Sequence, residues 1–507
     1  MWSCRPARRC AWKSFGRHHL LGLVIPERRF TGRVLVQRWN PESQKHDRHA
    51  LQTLAIETSC DDTSVAVLSI QRDASTGKLQ TDVRFHERIT AQSEEYKGIH
   101  PVVALQSHQS NLGPLLQKAV RALKLTSKDG HLHGNSGSAI LPDIIARPDF
   151  ITVTRGPGMR SNLSVGLDQA KGLAAAWDVP LVGVHHMQAH ALTPRLCQTL
   201  KSKEDGEVLH RSSDPSHSRV LWEPAQLQPT YPFLGLLVSG GHTMLIKSTS
   251  LTDHTILAET DDIAIGDCLD KAARAILPEH LLKAPYGKAL EEFAFPNGSE
   301  DYNYIAPTRR HEELQRRETR WGWSFRPPLS ESKAGPKSTK RMVYSFGGLC
   351  TSAERFMTQQ CSDGNALHGT TRQDEVTIDE RRGMAQEVLR VAFEHLCSRL
   401  FLYLSTQSEP ESQNFKSLVV SGGVASNRYL RHVMRAMLDA RGCQHVGLEF
   451  PPAELCTDNA LMIAWAGMEM FDAGFQSELG VQPLRKWTMD PEGHDGGILG
   501  ADGWLRT

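Results

Sequence analysis

The stretch Val182–His190, VGVHHMQAH, sets His186 and His190 four residues apart in an apolar, alanine-rich neighbourhood. Residues i and i+4 share one face of a helix, so both imidazoles can reach a single cation. A metalloprotease of the H-E-x-x-H type needs glutamate directly after the first histidine, and that position is Met187. His185 points elsewhere and reads as a neighbouring polar contact. A third ligand is available in CTDNALM, where Asp458 stands at a helix start. Two imidazoles and one carboxylate leave coordination positions open, as a catalytic site requires and a structural site does not. The donor set suits one divalent ion, zinc or iron first, with magnesium also compatible.

Three turns add a second chemistry. LLVSGGHT and LVVSGGVA each run an apolar strand into Ser-Gly-Gly. Without a Cβ the backbone can approach a ligand closely, and the exposed N–H groups can cradle phosphate oxygens. In the second copy the turn feeds a helix, whose N-terminus adds partial positive charge, and Asn427 lies within reach of a sugar or base. The third turn, TSCDDT, offers the hydroxyls of Thr58, Ser59 and Thr63 with the carboxylates of Asp61 and Asp62. One such turn is weak evidence. Three in one chain point to a phosphate-bearing ligand held between two lobes.

The elements around these motifs follow from periodicity. TLAIETSCDDTSVAVLSI predicts a hairpin, and PVVALQSHQSNLGPLLQKAVRALKL a helix. DFITVT predicts a strand, followed by a Gly-Pro-Gly turn and a helix that stops before Pro180. The histidines fall where a short strand runs into a helix. YPFLGLLVSGGHTMLIKS reads as strand, tight turn, strand, with a helix near IGDCLDKAARAILPEHLL. A second long helix precedes the strand SLVVSGGVASNRYL. CTDNALMIAWAGMEMF is apolar on nearly every side, hence a buried helix. Residues 201–228 and 307–341 read as surface insertions, and 129–140 as a loop. The recurrence of strand–turn–strand and strand–helix predicts two lobes of related architecture.

Composition narrows the class. In 507 residues, 39% hydrophobic and 23% charged describe a chain able to bury a sizeable core. No apolar run is long enough for a membrane span. The ten cysteines show no C-x-x-C pair, which argues against a zinc ribbon or disulfide scaffold and fits a reducing compartment. Cys60 and Cys268 read as small buried hydrophobes. The net charge of +1 hides an arginine-rich leader, nearly free of acids and interleaved with apolar residues, which reads as a mitochondrial transit peptide over residues 1–45. Without about eight of its charges the remainder is roughly −7, so nucleic-acid contact must come from local patches. The segment Thr308–Arg341 is the candidate patch, mixing arginines with Trp321 and Trp323 as stacking faces.

These motifs resemble the tRNA N6-adenosine threonylcarbamoyltransferase family, once described as O-sialoglycoprotein endopeptidases, and most of all its mitochondrial branch. The resemblance is carried by LAIETSCDDTSVAVL, GPGMRSNLSVGL, AWDVPLVGVHHMQAH, LLVSGGHTMLI, GDCLDKAAR, SGGVASNRYLR and CTDNALMIAWAG, spread from Leu51 to about Trp487 in family order. It implies an α/β, two-lobed, actin-like ATPase (ribonuclease H-like) fold with surface insertions. The N-terminal lobe would span 51–230 and the C-terminal lobe 231–487, with the last helix, 458–472, packing back on the first lobe and 488–507 a tail. It implies transfer of threonylcarbamoyl from threonylcarbamoyl-AMP to N6 of the adenosine 3′ of the anticodon, in tRNAs reading codons that begin with A. Partners would be tRNA, the synthase that makes the intermediate and a second copy of the chain, in the mitochondrial matrix and away from membranes.

Carried over position by position, the metal ligands are His186, His190 and Asp458. The intermediate would lie along Leu237, Val238, Ser239, Gly240 and Gly241. Asp270 would sit near the ribose and Gly287 and Glu291 beside the base, with Ser426, Asn427 and Thr457 completing the pocket. Asp61 is the candidate for orienting or activating the attacking amine. Two positions depart from the family: APYGKALEE stands where Tyr-Pro-Gly-Gly-Pro is usual, and FGGLC (Phe346–Cys350) replaces a turn ending in lysine. A sugar kinase or ATPase of the same fold, a metalloprotease and a nucleotide-binding scaffold are the rival readings.

Overall fold

Two sheets organise the computed structural model, which describes residues 50–72, 79–96, 98–123, 147–201, 227–330, 338–358, 375–408 and 414–506. These belong to one unit, His49–Thr507. The leader, the 129–140 loop and most of the 201–228 insertion lie outside the described residues.

The first sheet contains β1 (Leu51–Glu57), β2 (Asp62–Arg72), β3 (Leu79–Thr90), β4 (Phe150–Gly156) and β5 (Leu181–His185), with β12 (Phe475–Ser477) and β13 (Trp504–Arg506) at one edge. Its order is β13-β12-β5-β4-β1-β2-β3. The second contains β6 (Phe233–Val238), β7 (Thr243–Ser248), β8 (His254–Thr260), β9 (Val343–Tyr344), β10 (Ser417–Ser421) and β11 (Gly447–Glu449), in the order β11-β10-β6-β7-β8-β9. Each sheet has an antiparallel three-strand meander whose first strand pairs in parallel with a later strand, β1 with β4 and β6 with β10. The strand plan is therefore the same in both, as the repeated pattern predicts.

Parallel strands are buried on both faces, and the sequence meets that demand. In the first sheet one face is covered by α1 (Pro101–Ala122) and α2 (Arg160–Trp177), the other by α3 (His186–Lys201) and α9 (Ala460–Asp472). The second sheet packs on α4 (Ile265–Ile276) and on the helices α6 (Gly347–Thr358), α7 (Ile378–Leu404) and α8 (Arg428–Ala440); α5 (Tyr286–Ala294) lies against α4 and α7. From Ala460 through Met470 every residue of α9 is buried. Each fully buried Leu, Ile or Met there contributes about 1.5–3 kcal/mol, enough to fix the helix without any propensity argument. The helix contacts β1, β2, β4, β5 and α3, so a segment late in the chain is fastened to the first sheet.

Residues 488–506, set apart above as a tail, supply the edge strand β13, and β12 pairs with β5. Among the described residues no helix is long and apolar enough to cross a membrane.

The 307–341 segment corrects an expectation. Trp323 is buried, donates Nε1–H to Glu380 at 2.9 Å and stacks on half-buried Trp321. Neither ring is a free stacking face. Several arginines of the segment are also committed, Arg310 to Glu313, Arg317 to Glu394, Arg320 to Asp379 and Arg341 to Asp261.

Candidate metal centre and nucleotide cleft

Ligands of α/β sheets collect beyond the carboxyl ends of parallel strands. Here β1 ends at Glu57, β4 at Gly156, β5 at His185, β6 at Val238 and β10 at Ser421, and each is followed at once by one of the turns that carry chemistry.

His186 opens α3 and His190 lies one turn on, both buried. Asp458 precedes Asn459, whose side chain caps α9 by accepting from Met462 N–H at 3.0 Å. Because α9 is packed on the first sheet, Asp458 arrives beside α3 despite a separation of 268 residues from His190. Its Oδ1 is 3.3 Å from His186 Nε2 and 3.1 Å from His190 Nε2. The three donor atoms lie within 4.8 Å of one another.

The second contact of His186 decides what this group can hold. Its Nδ1 is 3.1 Å from Glu57 Oε2 and 3.3 Å from Ser59 Oγ. The Glu57 carboxylate is fully buried and also accepts from Ser59 N–H and the Thr154 hydroxyl. With Nδ1–H directed at a carboxylate, Nε2 is the ring atom that faces Asp458, and its lone pair is offered to a cation that displaces its proton. Electron-pair donors of three residues thus converge on one point, where a cation is needed. Electrostatics say the same. Burial alone would lower the His186 ring, yet Asp458 and Glu57 hold it well above its ordinary value. Burial would raise Asp458, and the two histidines hold it well below. The residues fit a divalent ion, with Glu57 as the outer partner that orients one ligand. Nδ1 of His190 is buried with no partner among the described residues, so the second ligand has no such support there.

The side expected to take the nucleotide is built by glycines. Ser239 N–H donates to His242 O at 2.8 Å and His242 N–H to Ser239 Oγ at 3.0 Å, closing the turn with Gly240 and Gly241 exposed. Leu237 and Val238 are buried in β6, so they position this turn and offer a ligand only their backbone. The second turn is its neighbour: β10 pairs in parallel with β6, Ser421 opposite Leu237. Gly422 has φ +97, and a Cβ there would sit 2.4 Å from Val238 O. The second Ser-Gly-Gly turn therefore packs against the strand end that leads into the first.

The remaining predicted pocket residues surround the turns, though several carboxylates and amides already have structural duties. Asp270 accepts from Gly287 N–H at 3.0 Å, joining α4 to α5, and burial raises its carboxyl. Glu291 accepts from Arg428 N–H at 2.7 Å and Tyr429 N–H at 2.9 Å, and Asn427 Oδ1 from Leu430 N–H at 2.8 Å. Both side chains cap α8. Ser426 Oγ donates to Gly423 O at 2.7 Å. Thr457 accepts from Arg88 and lies beside the second turn. Asp61 is half-buried near the metal group: burial raises its carboxyl and the charge of Asp458 adds to the rise. Asp62 turns away toward Thr90 and Arg88. Cys268 is buried; Cys60 is half-buried, and burial pushes its thiol up.

Two participants escaped the sequence reading. Glu57 shows only as a charge at the end of an apolar strand. His242 directly follows the first glycine pair; burial pushes it down to about 4, with the charge of His186 acting in the same direction.

Two glycine turns at neighbouring strand ends and a three-residue donor set define a candidate group-transfer centre, and the comparisons with known proteins bear on which. The TsaD family model, described as tRNA N6-adenosine threonylcarbamoyltransferase, matches residues 145–204 and 216–465. The chain belongs to this family. It is 32% identical over 493 residues to the "tRNA N6-adenosine threonylcarbamoyltransferase, mitochondrial" of Schizosaccharomyces pombe, covering 95% of this chain and 96% of that protein. Among solved structures, YeaZ from Pseudomonas aeruginosa is 13% identical with a TM-score of 0.20 over 39% of this chain and 60% of that one. HypF from T. kodakarensis is 12% identical with a TM-score of 0.33 over 83% and 47%. Neither carries an argument.

Proposed function

We propose that this chain transfers threonylcarbamoyl from threonylcarbamoyl-AMP to N6 of the adenosine 3′ of the anticodon, in mitochondrial tRNAs reading codons that begin with A. The observation that supports this most is the convergence of His186, His190 and Asp458 near the neighbouring strand ends that carry the two Ser-Gly-Gly turns, with methionine where a hydrolase would keep its glutamate. The leader through residue 45 acts as the mitochondrial presequence.

The donor is a mixed carboxylic–phosphoric anhydride, already activated, so no nucleophilic serine or cysteine is required. The reaction needs stabilised charge on the departing phosphate and correct placement of a weakly basic amine. The backbone at Gly240–Gly241 and at Gly422–Gly423 holds the phosphate, while the first amides of α8 stay with Glu291 and Asn427. Asp270, Gly287 and Glu291 frame the nucleoside. A divalent ion held by His186, His190 and Asp458 would polarise an oxygen of the donor. N6 attacks the carbamoyl carbon, the bond from that carbon to the phosphate oxygen breaks, and AMP leaves with the electron pair. The amine proton passes to Asp61, whose raised carboxyl is suited to accept it.

The test is to incubate the purified chain with tRNA and threonylcarbamoyl-AMP and analyse the digested nucleosides by mass spectrometry. Threonylcarbamoyladenosine is expected. Its absence with metal supplied would overturn the proposal.

A further inference from the structure

The paired arginines of the 307–341 segment leave open how a chain with an acidic balance outside its leader holds RNA, and the surface beside the metal group offers an answer. Arg160, Arg485 and Lys486 are exposed, and none of these side chains has an ion-pair partner among the described residues. They meet through the Gly-Pro-Gly turn. Gly158 N–H donates to Arg485 O at 3.3 Å, and Arg160 opens α2 two residues later. The same turn is tied to the metal group: Met159 N–H donates to Ser59 O at 2.9 Å, and Ser59 Oγ lies 3.3 Å from His186 Nδ1. Arg485 and Lys486 also border a cavity of about 230 Å³ that reaches Met187 and His242, beside the metal ligands and the first glycine turn. This is smaller than the ~300–1,000 Å³ of pockets that enclose whole drug-sized ligands.

Resting on the reaction proposed above, we infer that Arg160, Arg485 and Lys486 form the rim that binds backbone phosphates of the anticodon loop and delivers its adenosine to the metal group. Exposed, uncommitted cations bind phosphate at little desolvation cost, and each contact releases counterions, so binding weakens with salt. With an acidic balance over the rest of the chain outside its leader, such a rim concentrates RNA binding at one place.

The experiment compares tRNA binding by the wild-type chain and the Arg485→Gln/Lys486→Gln double variant across a salt series, with kinetics for both substrates. The variant should bind about tenfold more weakly near physiological salt, and its slope of log K against log salt should be shallower by about 1.4 for two contacts to a single-stranded loop. The KM for tRNA rises and that for threonylcarbamoyl-AMP does not. A charge-preserving Arg485→Lys/Lys486→Arg chain should bind as the wild type does. Unchanged tRNA affinity and salt slope in the Gln/Gln variant, with the wild type forming product, overturn the rim and leave the reaction standing. An equal, salt-independent loss in both double variants also overturns it, because shape and not charge would then be at issue. A wild-type chain that binds tRNA with the stated slope and yields no product would instead sink the reaction.

Discussion

Glu57 Oε2 stands 3.1 Å from Nδ1 of His186, while the opposite nitrogen of the same ring stands 3.3 Å from Asp458. The buried carboxylate thus fixes which nitrogen of His186 carries the proton and leaves the other free for a cation. Outer partners of this kind tune metal affinity by about 10–100-fold. Glu57→Gln should therefore weaken metal binding by that factor, read by competition against a chromophoric chelator. Unchanged affinity would remove Glu57 from the account.

The first glycine turn makes a different prediction. A Cβ at Gly240 would meet nothing within 4 Å, so packing does not require the glycine, whereas close approach of the proposed donor would. Gly240→Ala should keep the thermal stability of the parent while the KM for threonylcarbamoyl-AMP rises about tenfold or more. A variant with unaltered KM would place the nucleotide elsewhere.

Gly467 is the opposite case. A Cβ there would approach Thr152 Cγ2 to 2.1 Å, where α9 packs on β4. Helix propensity favours alanine by about 1 kcal/mol, but overpacking costs about 1–3 kcal/mol, so the clash wins. Gly467→Ala should lower the melting temperature, and because Asp458 directly precedes the cap of the same helix, metal affinity should fall with it. A more stable variant would contradict the packing.

These particulars show what the sequence could reveal. The hairpin β1–β2, the strand–helix junction bearing His186 and His190, and the buried α9 were legible because each follows from local periodicity or turn chemistry. The duties of Asp270, Glu291 and Asn427 as caps were not, since the N–H groups they satisfy belong partly to other elements. Nor was the burial of Trp323, because an Arg- and Trp-rich segment has the same composition whether its rings face solvent or stack on a core. Glu57 was hidden for a related reason: its partners, His186 and Thr154, are brought to it by β5 and β4.

Acid should loosen the fold through its buried imidazoles. His254 is inaccessible, with Nδ1 2.8 Å from Ser248 Oγ and Nε2 2.9 Å from Leu251 O, and burial pushes it down to about 4. Its folded value lies below the ordinary 6.5, so its neutral form stabilises the fold fully above about pH 6.5. Between 6.5 and 4 the unfolded chain binds the extra proton and stability falls. Its share of the loss between pH 7.5 and 5.5 is about 1 kcal/mol. Denaturant titrations at the two pH values should show a smaller difference for His254→Gln than for the parent; an equal difference would mean His254 titrates normally.

Two residues of one helix turn and a carboxylate from a distant segment are proposed to hold one cation. Elemental analysis of the purified chain beside His190→Ala tests it most directly. One divalent ion per chain in the wild type, and little or none in the variant at equal folded content, is the predicted result. Equal metal content in the two proteins, or none in a wild type that nevertheless modifies tRNA, would contradict it.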